Sequence, residues 1–136
     1  MERTKALVVD GKKDTMEEVA AAISKAFPDL EVIQEGVVVK IMTVLEQEAE
    51  TIFMLVSGCR LHQDRTEDGQ NLTLQAREAG VPNVALYSGI AGNRHIKRRL
   101  EGTGIQCLPK PDGTPANEEH LEQWLSSVAE GLKKEA

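Results

Sequence analysis

The sequence predicts a doubly wound α/β domain built on a five-stranded parallel sheet. Short apolar runs of strand length alternate with stretches of helical periodicity from end to end. The third such run, Thr51 to Ser57, is almost continuously apolar, as a strand covered on both faces requires. The last helical stretch carries Leu121, Trp124, Leu125, Val128 and Leu132 on one stripe, so it packs onto something.

The elements follow in order. Lys5 to Asp10 is a Val-rich strand ending at an acid. Asp14, with Glu17 three residues on, reads as the N-cap and capping box of a helix whose apolar face is Met16, Val19, Ala20, Ile23 and Phe27. Pro28-Asp29 stops it, and Leu30 to Ile33 forms a second strand. Gly36 opens a helix with Val38, Ile41, Met42 and Leu45 on one face, although Val37-Val38-Val39 is β-branched and weakens that reading. After the third strand, a polar loop from Leu61 to Asp68 leads to Gly69 and a helix ending near Gly80. Val84 to Ser88 is the fourth strand, Asn93 to Glu101 a short fourth helix, and Ile105 to Leu108 the fifth strand.

At 136 residues, with no repeat or linker, the chain is expected to form one domain over 1–136, burying about two-thirds of its unfolded surface. Aromatic residues make up only 3 %, so the core must come from aliphatic side chains. A formal charge of −6 argues against nucleic acid as a partner. No apolar run reaches membrane-crossing length, and the N-terminus lacks signal-peptide anatomy, so the expected location is the cytoplasm. Cys59 and Cys107 could pair with each other, but in a reducing compartment free thiols are the expectation.

In such a sheet a ligand sits beyond the carboxyl ends of the strands, where strand order reverses. The residues there are Asp10, Ser57-Gly58, Ser88-Gly89 and Lys110. With Ala6-Leu-Val-Val-Asp10, Asp68-Gly69 and Pro109-Lys110-Pro111, they make the chain resemble a bacterial response-regulator receiver domain of the CheY-like family along its whole length. The resemblance implies a flavodoxin-like (βα)5 fold with strand order 2-1-3-4-5. It also implies two acids after strand one for Mg²⁺, a phosphoryl-accepting aspartate after strand three, and a hydroxyl and a lysine for the phosphoryl oxygens. Asp10, Ser88 and Lys110 match the first acid, the hydroxyl and the lysine. The second acid is replaced by Gly11 and the acceptor by Gly58, while Cys107 stands where the family has an aromatic residue. The loop Cys59 to Asp68 is longer than the family's and has no proline after Leu61.

The residues agree by themselves. Mg²⁺ wants octahedral oxygen coordination with one or two carboxylates, and Asp10 alone is at most a fragment of such a cage, so no metal or other cofactor is expected. No carboxylate nucleophile ends strand three. Lys110 then reads as a structural partner of Asp10, Ser57 as a buried hydrogen-bonded hydroxyl, and Ser88 as a cap for the following helix. Asp64, Glu67 and Asp68 read as a solvated acidic loop, and His62, His95 and His120 lack metal-ligand spacing. Asn71-Leu-Thr73 matches a glycosylation acceptor by chance, and Trp124 is a core residue.

Arg94, His95, Lys97, Arg98 and Arg99 make one short helix strongly basic in an acidic protein, a surface suited to steering an acidic partner. The resemblance implies that the fourth helix, fifth strand and fifth helix form a face for partner binding or self-association, with Cys107 on it. The expected function is therefore a pseudo-receiver: a signalling module that is not an enzyme and binds a protein without aspartyl phosphorylation. The alternative is a pocket at the strand ends that takes a small anion or nucleotide, or is phosphorylated at a non-standard residue. An independent enzyme ranks below both, since no nucleophile–base pair or phosphate loop is present and Asp10-Gly11-Lys12 is too short to be one.

Overall fold

Five strands form the sheet in the computed structural model, which describes residues 3–58, 68–88, 91, 93–109 and 119–135. They are β1 (Lys5–Val9), β2 (Glu31–Glu35), β3 (Ile52–Ser57), β4 (Asn83–Ser88) and β5 (Gln106–Pro109). All four pairings are parallel and the order is β2-β1-β3-β4-β5. The helices are α1 (Lys13–Ala26), α2 (Val38–Glu48), α3 (Asp68–Glu78), α4 (Arg94–Leu100) and α5 (Glu119–Glu135). This is the expected flavodoxin-like doubly wound architecture.

Successive strand side chains point to opposite faces, and this alternation divides the core in two. Leu7, Val9, Leu55, Val84 and Leu86 meet Ile41 and Leu45 of α2, Leu72 and Ala76 of α3, and Ile96 and Leu100 of α4. Ala6, Val8, Met54, Val56, Ala85 and Tyr87 meet Val19 and Ile23 of α1 and Leu121 and Leu125 of α5. The register of β1 on β3 shifts between Lys5 and Ala6, leaving Phe53 as the extra residue. Its carbonyl accepts from Asn83 Nδ2 at 3.1 Å, and its ring meets Phe27 edge-on at 5.6 Å.

Several local expectations need correction. Asp14 does not cap α1: the N-cap position is Lys12, without a side-chain cap, and Asp14 lies in the first turn, where its charge suits the helix dipole. The turn begins earlier because Asp10 Oδ1 accepts from the Lys12 N–H at 2.9 Å. Phe27 follows the last helical residue of α1, β2 runs on to Glu35, and α3 begins at Asp68, which is therefore helical rather than part of the loop. Thr51 precedes β3 in a 3₁₀ turn, its hydroxyl donating to the Glu48 carbonyl. Met42 is 37 % exposed: at 100° per residue it turns away from the buried Ile41 and Leu45. Val38 is half-buried, whereas Val39 is 71 % exposed. Core contacts made by Ile41 and Leu45 outweigh the weak helix propensity of the valine run. Among the described residues, no helix is long and apolar enough to cross a membrane.

Leu55 is fully buried at the centre of the sheet. Leu55→Ala is expected to lower stability by about 2–5 kcal/mol, read as a lower urea midpoint at unchanged slope. The same change at Val39 should stay within about 0.5 kcal/mol.

Candidate functional site

Strand order in the sheet reverses beside β1, and the crevice there opens between β1 and β3 at their carboxyl ends. Val9 pairs with Ser57, and the Gly58 N–H donates to the Val9 carbonyl at 2.8 Å. Asp10 and Gly58 are thereby brought side by side. A Cβ built on Gly58 would stand 2.3 Å from Asp10 Oδ2 and 2.9 Å from its Cγ. The Asp10 carboxylate thus fills the space that a side chain at position 58 would need, and the backbone approach requires glycine there. Its other oxygen holds the Lys12 N–H, which fixes the start of α1.

The neighbours complete the rim. Ser57 is fully buried and its hydroxyl donates to the Gly58 carbonyl at 2.9 Å, so it is closed to modifying enzymes. Ser88, half-buried, pairs with Pro109 in the β4–β5 register, and its carbonyl accepts from Ala91 at 3.1 Å. It does not cap α4; that role falls to Asn93, whose side chain accepts from the His95 N–H at 2.9 Å. Gly11 is exposed in the bend after β1. Lys110, Gly89, Cys59, His62, Asp64 and Glu67 lie outside the described residues.

As a metal site this donor set is poor. Among the described residues it offers one carboxylate, already turned onto a backbone N–H and packed over a glycine, with no side chain at 11 or 58 to add a ligand. Mg²⁺ needs more oxygen donors in a stricter arrangement. Among the described residues, no group of three or more His, Cys, Asp or Glu side chains could hold a metal ion.

The basic helix divides by face. Ile96 and Leu100 are buried, so Arg94, Lys97 and Arg98 point outward on one side. Arg99 departs from the expected recognition face: it leans onto α3, donating to Gln70 Oε1 at 2.9 Å and to Asn71 Oδ1. Beyond α4, the Arg77 guanidinium donates to the carbonyls of Thr103, Val81 and Pro82 and packs beneath Gly104, whose φ of +85° a side chain would strain. These bonds hold α4 against α3 and leave a groove of about 740 Å³ between α4 and β5. Arg94, Lys97 and Arg98 wall it, with Cys107, a free thiol, beside them. Burial pushes the Cys107 thiol up in pKa, and the Lys97 charge pulls it partly back.

Sequence reasoning missed a larger hollow of about 1020 Å³ near Phe27, Phe53, Val128 and Leu132, at the opposite end of the strands. Its lining is mainly apolar, and its one cation, Arg3, is bonded to the carbonyls of Ala49 and Ile52. Among the described residues, Asp29 is its one carboxylate.

A receiver domain from Methanospirillum hungatei superposes with a TM-score of 0.68 at 15% identity, covering 98% of each chain. The fold is that of CheY-like receivers. A receiver domain from Clostridium thermocellum gives 0.66 at 11% identity, covering 98% of this chain and 99% of that one. A structure of the CheA3 P1 domain in complex with CheY6 from R. sphaeroides gives 0.64 at 18% identity, covering 93% and 97%. No protein-family model and no curated protein sequence matches.

Two outcomes test this receiver-fold site. Gly58→Ala should displace the Asp10 carboxylate and cost about 1–2 kcal/mol, a cost that largely disappears in an Asp10→Ala background when the four proteins are compared by denaturation. Cys107, held toward its neutral form, should alkylate with iodoacetamide more slowly than a free thiol at neutral pH and accelerate above it. The raised folded pKa sets the sign for stability as well. The contribution is fully present below the unfolded thiol's pKa and is lost as pH rises through the folded value.

Proposed function

We propose that this chain is a receiver-like signalling module of the cytoplasm that binds a protein partner without aspartyl phosphorylation, uses no metal or cofactor, and catalyses no reaction. One observation carries the reading: the Asp10 carboxylate occupies the side-chain space of position 58, and Gly58 itself has nothing to phosphorylate. Ser57 offers no substitute, being buried and hydrogen-bonded.

Recognition is assigned to the α4–β5 groove. Arg94, Lys97 and Arg98 are exposed there on a chain of net charge −6, so an acidic partner surface is attracted to this end and repelled elsewhere. The solved structure of CheY6 with a CheA3 domain supports a protein partner for a module of this fold. The anion- or nucleotide-binding alternative is weaker, since the Asp10 carboxylate beside Gly58 opposes an anion at the strand ends.

Incubation with Mg²⁺ and acetyl phosphate, read by intact mass, tests the proposal. No phosphoryl addition is expected. A stoichiometric, Mg²⁺-dependent addition would overturn it and make the domain a phosphorylated switch.

A further inference from the structure

Charge is distributed unevenly along the sheet. Residues 12–50, which form α1, the edge strand β2 and α2, hold nine Asp and Glu against four Lys. Residues 93–109, which form α4 and the other edge strand β5, hold four Lys and Arg against one Glu. The molecule therefore has an acidic end and a basic end, and like ends repel.

At the acidic end α2 has two apolar faces. Ile41 and Leu45 enter the core, but Val39 and Met42 stand exposed with Glu46 on the same side of the helix, at i, i+3 and i+7. A surface helix normally presents polar groups there. At the basic end, the half-buried Cys107 and the edges of the buried Leu100 and Ile105 give the α4–β5 groove apolar walls, and Arg94, Lys97 and Arg98, with Glu101 the one acid among them, give it a net positive rim. Apolar anchors followed by an acid on α2 match apolar walls flanked by bases in the groove.

We propose that the α4–β5 groove accepts a second copy of this chain, which inserts Val39 and Met42 of α2 and sets Glu46 against Lys97 and Arg98. The contact joins two different surfaces, so it is head-to-tail and each copy keeps one free half. This rests on the groove being the docking surface proposed above and names its occupant. A symmetric contact of groove on groove would oppose two basic rims, which the charge distribution disfavours.

Sedimentation of the full chain over a concentration series provides the test. The wild type should self-associate, at least about tenfold more weakly in high salt, since rim charges are screened. Val39→Glu/Met42→Glu disables the α2 face and Lys97→Glu/Arg98→Glu disables the groove. All four sites are exposed and in helices, and circular dichroism checks that each variant folds. Each variant alone should stay monomeric, and an equimolar mixture should give a 1:1 dimer that grows no further, because one intact α2 meets one intact groove. Two disabled partners restoring a contact is a result only a head-to-tail interface gives. A wild type that is monomeric up to millimolar concentration overturns this inference alone and leaves the groove to an acidic partner. Self-association unchanged in the groove variant likewise overturns this inference alone, because it moves the contact between copies away from α4–β5. Association that the variants abolish and mixing does not restore also overturns the head-to-tail contact.

Discussion

Parallel pairing of β1 with β3 puts Val9 opposite Ser57, and one residue further the two chains come so close that Asp10 and Gly58 share a single side-chain volume. Two carboxylates could not both occupy it with the chain as it is. An acid at 58 would have to displace Asp10 from the Lys12 N–H, loosening the turn that starts α1. It would also set two negative charges a few ångströms apart in a half-buried crevice, where like charges resist joint ionisation. The start of α1 and the need for glycine at 58 both follow from that one close approach.

On the proposed reading, recognition belongs to the flank of the sheet at α4. The α4 helix has seven residues and would be marginal alone. It is held by an Asn93 cap, by Ile96 and Leu100 in the core, and by Arg99 reaching to α3. Arg77 fixes the turn beyond it. The consequence is a helix whose backbone is fixed beneath its basic side chains. A docking surface benefits from such a backbone, because less ordering remains to be done on binding.

The architecture was legible because strand and helix periods are written plainly in the chain. The apolar run of β3 and the α5 stripe from Leu121 to Val128 were legible, and the two-sided core follows by alternation, although Leu132 at the end of that stripe is 41 % exposed. What the sequence concealed was local competition. Asp14 carries the capping signature, yet Asp10 captured the Lys12 N–H and started the helix sooner. Ser88 and Asn93 are both capping types, and only the observed turn shows that Asn93 is the one aligned with the helix. Arg99 belongs to the basic cluster in sequence, but helical rotation carries it to Gln70 and Asn71, a contact invisible without the fold. That Gly11 and Gly58 stand where the resembled family has acids was readable, whereas the occupation by Asp10 of the side-chain space at position 58 was not, because it depends on a side-chain rotamer.

One small volume beside β1 and β3 is decisive, and a site-resolved signal reads it most directly. Amide spectra of isotopically labelled protein, recorded while Mg²⁺ and then acetyl phosphate are added, report on Asp10, Gly58 and Ser88 separately. Unchanged resonances at all three are predicted, since the Asp10 carboxylate already holds the space. Saturable shifts centred on Gly58 and Ser88 would contradict the account and show that the crevice still receives a metal and a phosphoryl group.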